Sequence, residues 1–258
     1  MNKPSTIHSP TFSPLYLQIR GLITRSLESG EWGPGDIIPS EFELATRYGV
    51  SQGTVRKAID EMAAENLLVR RQGKGTYVAS HNDPRSYFRF LRLAANKGEL
   101  QPLKSIPLEC WQAKAGADVA RILELETGAP INIVRRLLKF GAEPAVFDEI
   151  YLPAEIFPDL TLEILTSGSM SLYSLLETRY GVRMIRADER LRAVSADRLS
   201  AEQLLVDEGS PLLLVERITY TYANKPVEWR RGFYSTQNFH YHDVHGRNDS
   251  QEKTTEES

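Results

Sequence analysis

Residues 34–78, PGDIIPSEFELATRYGVSQGTVRKAIDEMAAENLLVRRQGKGTYV, contain the pattern that decides the fold of the first part of the chain. Ser40 and Glu43 have the spacing of a capping box, in which each residue satisfies a backbone N–H of the other, so a short helix is predicted to begin after Ser40. A turn that contains Gly49 follows, and Ser51 caps a second helix. Two short helices joined by a three-residue turn with glycine are typical of a helix-turn-helix.

A helix and a hairpin flank this motif. Residues 15–27 place apolar side chains at three- and four-residue spacing, which predicts an amphipathic helix. Residues 67–71 and 76–79 have the composition of strands, and the turn QGKG at 72–75 joins them as a hairpin with a cation at its tip. A helix, a helix-turn-helix and a hairpin together make a winged helix.

Polar and basic side chains concentrate where a winged helix contacts DNA. The first turn of the second short helix carries donors for base edges and phosphates in a major groove. These donors are Gln52, Thr54, Arg56 and Lys57. Lys74, between two glycines at the hairpin tip, can reach the DNA backbone or a minor groove. Two alternatives stand beside this one: a winged helix that binds only proteins, and a phosphate loop at 72–75, which we discard because the Walker spacing is absent and a strand follows.

The second part of the chain contains an internal repeat with an offset of 81 residues. ARILELETGAP at 120–130 aligns with AEQLLVDEGSP at 201–211, and each copy is followed by two strand-like runs joined by a short turn with proline. A helix capped by Ser171 and a strand at 186–194 lie between the two halves. Because turns this short join antiparallel strands, we predict an α+β fold with an antiparallel sheet.

Two arginines lie on apolar strand faces of this repeat, where an unpaired charge is costly. Arg136 and Arg217 each either form a structural ion pair, with Asp148 or Glu228 as partner, or bind a carboxylate or phosphate of a ligand. The residues alone slightly favour the structural pairs. The segment 168–171 precedes a helix, so its N–H groups and hydroxyls either hold an anion or serve only as a cap.

Both parts of the chain resemble known families. Residues 13–80 resemble the DNA-binding domain of GntR-family bacterial transcription regulators, and residues from about 101 to 242 resemble the UTRA effector-binding domain of the HutC subfamily, which shares its fold with chorismate lyase. The matching UTRA motifs are VRR at 134–136, FDEIYLP at 147–153, SLY at 171–173, VER at 215–217 and PVEWRRGFY at 226–234.

The resemblance implies two groups of binding residues, which join those derived above. The predicted DNA-binding residues are Ser40, Ser51, Gln52, Thr54, Arg56, Lys57, Gln72, Lys74 and Gly75. The predicted effector-binding residues are Arg136, Asp148, Ser169, Ser171, Arg217, Glu228 and Tyr234.

Three positions depart from the family pattern. Many members have arginine where Phe42 and Gln52 stand here, and because glutamine pairs better with adenine than with guanine, we expect an operator without the usual GT…AC ends. Several sugar-phosphate-sensing members have a second arginine where Leu138 stands, so the effector is expected to be less charged or simply carboxylate-bearing.

These observations predict a cytoplasmic transcription repressor, a homodimer on a near-palindromic operator, controlled by a small metabolite. The predicted domains are a disordered arm at 1–12, a winged helix at 13–80, a linker at 81–100, a UTRA domain at 101–245 and a disordered tail at 246–258. The linker has an alternative interpretation as a strand that docks on the second domain. The alternative functions are a chorismate-lyase-like enzyme with an accessory winged helix and a non-specific DNA-binding protein.

Composition narrows the function classes further. The 258 residues carry 31 cations, 34 carboxylates and a single cysteine, Cys110, which excludes an intramolecular disulfide and a multi-cysteine zinc site. No cofactor, signal peptide or membrane span is predicted. His240, His242 and His245 could ligate a metal, but a solvated strand end is the favoured interpretation of this triplet.

Overall fold

The computed structural model describes residues 13–82, 91–98, 101–168 and 170–243. The helices are α1 Leu15–Glu28, α2 Glu41–Tyr48, α3 Gln52–Ala64, α4 Ala117–Ile122, α5 Leu162–Thr166, α6 Leu172–Tyr180 and α7 Arg198–Leu204. The strands are β1 Leu68–Arg71, β2 Gly75–Val78, β3 Leu93–Ala95, β4 Leu103–Lys114, β5 Pro130–Phe140, β6 Glu143–Pro153, β7 Arg186–Ser195, β8 Pro211–Tyr220, β9 Pro226–Ser235 and β10 Phe239–Tyr241.

These elements form two compact units. The described residues of 1–86, 170–187 and 219–227 make up the first unit, and those of 87–169, 188–218 and 228–258 make up the second. In the part of the chain that the structure describes, no helix is long and apolar enough to cross a membrane.

The first unit contains the predicted winged helix-turn-helix. The Ser40 hydroxyl accepts a hydrogen bond from the Glu43 N–H at 3.3 Å, and the Glu43 carboxylate accepts the Ser40 N–H at 2.8 Å, which confirms the capping box. Gly49 ends α2 with a left-handed φ of +65°, a conformation that glycine adopts without a steric cost. Ser51 caps α3 through the Thr54 N–H at 3.2 Å. The antiparallel hairpin of β1 and β2 completes the motif.

One continuous core joins the helices and the hairpin of this unit. Its fully buried side chains come from α1, α2, α3 and β1, at the spacing that the sequence predicts. They include Ile23, Leu44, Val55, Ile59, Met62 and Leu68. Burial of each such aliphatic side chain contributes about 1.5–3 kcal/mol to folding, so this core fixes the orientation of the side chains on its outer surface.

Helix α6 packs within the first unit through two buried charged side chains. The Glu177 carboxylate accepts the His81 N–H at 3.1 Å and the Ser80 hydroxyl. Arg183, which follows α6, donates to the backbone carbonyl oxygens of Asn66 at 2.6 Å and Leu67 at 3.1 Å. Both side chains are buried, and their charges are compensated by these partners in the first unit and by each other, since Arg183 Nε lies 4.0 Å from Glu177 Oε2.

The second unit is built on an antiparallel sheet, as predicted. The strand order is β4-β5-β6-β9-β8-β7, with β6 and β9 adjacent at the centre. Strand β3 lies within the predicted linker and pairs with β10 in a separate two-stranded sheet. The linker therefore contains a docked strand, which agrees with its alternative interpretation.

The internal repeat is visible in the backbone. The Gly128 N–H donates to the Ala115 carbonyl at 2.8 Å, and 81 residues later the Gly209 N–H donates to the Ala196 carbonyl at 2.8 Å. The two glycines have φ values of +87° and +86°. Helix α4 with β5 thus repeats as α7 with β8, and the strand order is symmetric about the pair β6–β9.

The large sheet has two different faces, because alternate residues of a strand point to opposite sides. On one face Phe147 and Phe233 pack against Leu204 of α7. On the other face Val146 and Tyr234 pack in a separate buried cluster that includes residues of β3 and β10. The registers of β5, β6 and β9 place the predicted effector-binding residues of these strands on this second face.

Candidate nucleic-acid interface and ligand site

A groove of about 850 Å³ lies on the first unit, between the first turns of α2 and α3 and the start of β2. Four of the predicted DNA-binding residues line it, namely Ser40, Gln52, Arg56 and Gly75. The capping interactions at the starts of α2 and α3 fix the backbone from which these side chains project. The structure therefore brings residues of all three predicted contact elements to one concave surface.

Glu41 organises the polar side chains of this groove. Its carboxylate accepts hydrogen bonds from Arg56 Nε at 2.9 Å, Gln52 Nε2 at 3.3 Å and Arg70 Nη2 at 2.8 Å. Burial opposes its ionisation, but the hydrogen bonds from Arg70 and Arg56 lower the pKa of Glu41 below its ordinary value. The Glu41 side chain is 13% exposed and that of Arg56 is 59% exposed, so Glu41 orients Arg56 from below and leaves much of the guanidinium accessible.

Glu41 is not among the predicted DNA-binding residues, although its position in the first turn of α2 places it beside the capping box. An acidic residue carries no general signal for contact with a polyanion. Its role depends on Arg70, which lies 29 positions further along the chain on β1. A separation of this size is not readable from a sequence pattern.

The hairpin tip is exposed, as a wing requires. Gln72, Lys74 and Gly75 are all solvent-accessible. Gly75 has a φ of +110°, so its backbone favours glycine, and a Cβ there would lie 2.9 Å from Ile37 Cδ1, the end of an exposed side chain that could move aside. The Tyr77 hydroxyl of β2 donates to the Lys74 carbonyl at 3.2 Å and so links the turn to its following strand.

The remaining predicted DNA-binding residues lie in the first turns of α3 and have partners in its cap or on α1. The hydroxyls of Ser51 and Thr54 lie 2.9 Å apart within the cap. Lys57 Nζ lies 3.9 Å from the centre of the Tyr16 ring, a cation–π contact with α1. Lys57 is nevertheless exposed, and its role in DNA binding stays a prediction.

A buried row of alternating charges crosses β5, β6 and β9 in the second unit. Arg136 Nε donates to Asp148 Oδ2 at 2.8 Å, and Arg230 Nη1 lies 3.6 Å from the same oxygen. Arg230 Nε also donates to Glu228 Oε1 at 2.6 Å. The structure thus brings three predicted residues together, and Arg136 is paired with Asp148, one of the two partners considered in the sequence. Arg230 was not predicted, although its two-residue separation from Glu228 places both on one face of β9.

Arg217 has a different partner from those considered in the sequence. It donates to Glu189 of β7 at 2.6 Å rather than to Asp148 or Glu228. The reason is the strand order, in which β7 is the outer neighbour of β8. The Tyr241 hydroxyl donates to the other oxygen of Glu189.

Two buried carboxylate oxygens on this face have no hydrogen-bond partner among the described residues. They are Asp148 Oδ1 and Glu228 Oε2. Gly232 lies opposite Asp148, and a Cβ at Gly232 would come within 2.9 Å of Asp148 Oδ1. Burial raises the pKa of the nearby Tyr234 phenol to about 12, although Arg217 lowers it, so this hydroxyl remains protonated at neutral pH.

The two remaining predicted effector-binding residues, Ser169 and Ser171, lie before α6. The Ser171 hydroxyl accepts the Ser174 N–H at 3.1 Å, so it caps α6, and an anion-binding role for 168–171 stays a prediction. Ser169 lies outside the described residues.

Two of the three histidines that were weighed as metal ligands lie in the described residues. His240 Nδ1 and Asn96 Oδ1 lie 2.9 Å apart, and the rings of His240 and His242 meet edge to face. His245 lies outside the described residues. Within the described ranges, no group of three metal-ligating side chains occurs.

Comparison with known proteins assigns both parts of the chain. Bacterial regulatory proteins of the gntR family match residues 15–78, and the UTRA domain matches residues 102–240. The chain is 30% identical to a protein of Escherichia coli K12 named a probable fructoselysine utilization operon transcriptional repressor, over 83% of this chain and 87% of that protein. It is 28% identical to the uncharacterized transcriptional regulator YurK of Bacillus subtilis, over 86% and 91% of the two chains.

A solved structure supports the same assignment. The ligand-binding domain of a regulator from Bordetella bronchiseptica, assigned to the GntR family, superimposes with a TM-score of 0.60 at 46% identity. The match covers 61% of this chain and 98% of that domain. The predicted resemblance is confirmed, and these relatives favour a regulator over the enzyme alternative. The chain belongs to the gntR family of bacterial regulatory proteins and carries a UTRA domain, so it is a DNA-binding transcription regulator and not an enzyme.

Proposed function

We propose that this regulator is a cytoplasmic repressor that binds a near-palindromic operator as a homodimer and responds to a small metabolite. Residues 13–80 form the DNA-binding domain in this proposal, and residues 101–245 form the effector-binding and dimerisation domain. The name of the Escherichia coli relative supports repression. Two winged helices related by a two-fold axis would contact half-sites about one helical turn apart.

The groove beside Glu41 carries this proposal. A single carboxylate accepts hydrogen bonds from Gln52, Arg56 and Arg70, which supports a reading surface whose side chains are oriented before DNA binds. In the proposed complex Gln52 reads adenine and Arg56 reads guanine or contacts a phosphate. The wing residues Gln72 and Lys74 contact the backbone of the adjacent groove.

The experiment that tests the function is selection of genomic fragments by the purified protein at physiological salt, followed by sequencing. We expect a single enriched palindrome whose half-sites are about one helical turn apart. Light scattering of the protein alone and with that duplex reports the stoichiometry. Diffuse enrichment, or one protomer per operator, contradicts the proposal and favours the non-specific DNA-binding alternative.

Substitution of Lys74 with alanine is expected to weaken operator binding to a similar extent for all sequences. An ammonium group at the wing tip contacts phosphates, so its removal lowers the slope of log K against log salt concentration by about 1 without a change in base preference. Titrations of the operator at several salt concentrations measure both quantities. Lys114→Ala on β4 is the matched control and should leave the slope unchanged; a changed base preference in Lys74→Ala would instead assign Lys74 to base contacts.

The effector class follows from the buried charged row. The arginines of this face supply positive charge for a carboxylate, and one oxygen each of Asp148 and Glu228 lacks a hydrogen-bond donor among the described residues. We therefore propose an effector that bears a carboxylate together with a hydroxyl or amino group. An apolar carboxylic acid would leave both oxygens without a donor.

Matched ligands test this class. Each set of ligands contains a carboxylic acid and its 2-hydroxy and 2-amino derivatives. Binding is compared by thermal shift and by calorimetry, and the derivatives with a hydroxyl or amino group should bind more tightly than the parent acid. For the ligand identified in this way, Glu228→Gln should lose about 10-fold in affinity, because the loss of one charge-assisted hydrogen bond costs about 1.5 kcal/mol or more. Glu149→Gln is the control, since Glu149 is also paired with an arginine but lies on the opposite face. Equal losses in both variants would contradict the assignment of Glu228.

A further inference from the structure

Phe42 is an exposed aromatic side chain in the first turn of α2. It is 71% exposed, and it is absent from the hydrophobic core of the first unit. The Thr46 hydroxyl donates to the Phe42 carbonyl at 3.0 Å, so the backbone at this position is held in a regular helix. A phenyl ring that faces solvent lacks the hydrophobic stabilisation that its burial would provide.

The surroundings of this ring are those of the DNA-binding groove. Phe42 lines the groove together with Ser40, Gln52 and Arg56. Ile37, which is 54% exposed, adds a second apolar side chain beside Gly75 of the wing. The surface that presents hydrogen-bond donors to DNA therefore also presents a hydrophobic patch, defined here as Ile37 and Phe42.

The chemistry of the major groove limits what such a patch can recognise. A phenyl ring has neither donor nor acceptor, so it does not discriminate between bases by hydrogen bonds. The C5-methyl group of thymine is the one apolar feature that base pairs present at the major-groove edge, and phenylalanine is among the side chains that contact it. A duplex seated on this groove would bury the ring against that methyl group.

We propose that Phe42 is a specificity-determining residue that contacts the methyl group of a thymine in each operator half-site, beside the adenine read by Gln52. This inference rests on the proposed operator binding through the groove. The patch is continuous with the donors of that interface, and this continuity identifies DNA as its occupant. Ile37 supports the contact from the wing side and closes the patch to water.

Removal of single methyl groups from the DNA tests the contact. In the selected operator, each thymine of one half-site is replaced in turn by deoxyuridine, which keeps all hydrogen bonds and lacks only the methyl group. With the unmodified protein, one position should lose about 4-fold in affinity, the equivalent of one buried methyl group. Phe42→Ala should bind less tightly overall and should show no further loss at that position.

Two further variants complete the design. Phe42→Leu keeps an apolar side chain and should retain part of the methyl effect, whereas Leu191→Ala, which truncates an exposed leucine on β7, should retain all of it. Melting temperatures should agree among all the variants because each side chain is exposed. The inference is overturned if no deoxyuridine position weakens binding, or if Phe42→Ala loses affinity at the same position as the unmodified protein. Failure of the proposed function is distinguishable, since no operator would then be selected.

Discussion

Replacement of Asp148 by alanine should lower the free energy of unfolding by about 3–5 kcal/mol, because removal of one member of a buried ion pair leaves an uncompensated charge. Asp148 is the carboxylate between Arg136, 2.8 Å away, and Arg230, 3.6 Å away. All three side chains are buried. Denaturant titrations combined with hydrogen exchange in β5 and β6 would measure the loss and locate it in the sheet.

The control for this prediction is a surface ion pair. Asp118 lies 3.1 Å from Arg121 with its side chain 82% exposed, so Asp118→Ala should change stability by no more than about 1 kcal/mol. Asp148→Asn keeps the shape of the side chain without its charge and should fall between the two. A change of less than 1 kcal/mol in Asp148→Ala would mean that water or a relaxed backbone compensates the arginines.

Replacement of Arg56 by alanine is expected to weaken operator binding by about 1–3 kcal/mol, which corresponds to about 5- to 150-fold in Kd. The guanidinium is exposed and is oriented by Glu41, so in the proposed complex it would contact DNA without first reorganising. The loss should be confined to the correct operator and should relax the base preference at one position. Selection from a randomised operator pool measures that preference directly.

Two comparisons make the Arg56 experiment decisive. Arg121→Ala removes an exposed cation from α4 of the second unit and should leave affinity unchanged. Glu41→Gln keeps Arg56 but weakens its anchor, so it should reduce discrimination between operator variants more than it reduces total affinity. An unchanged selection profile in Arg56→Ala would remove this residue from the reading surface and leave a phosphate contact as its role.

The elements that depend on local chemistry are predictable from the sequence. The capping box at Ser40 and Glu43 and the left-handed glycine at position 49 need only neighbouring residues, and the structure reproduces both. The internal repeat is equally accessible, because equal patterns 81 residues apart fold into equal units. Short-range patterns therefore predict the winged helix, and the internal repeat predicts the two similar halves of the sheet.

The partners of the charged side chains are less predictable. The pair of Arg136 with Asp148 crosses two strands joined by a tight turn, but the register shifts by one residue between Leu138 and Lys139, so the turn alone does not determine this pairing. Arg217 pairs with Glu189 because β7 is the outer neighbour of β8, a fact of sheet order that no local pattern encodes. The anchoring role of Glu41 depends in the same way on a strand that lies beyond α3.

The packing of α6 within the first unit limits how freely the two domains can be exchanged between regulators. A chimera that joins residues 13–80 of this chain to a foreign effector domain would lose Glu177 as the acceptor for the Ser80 hydroxyl. The reciprocal chimera would bury Arg183 without the carbonyl oxygens of Asn66 and Leu67 in their present positions. Functional hybrids therefore require that α6 and the turn after it be transferred together with the winged helix, so the transplantable module is discontinuous in sequence.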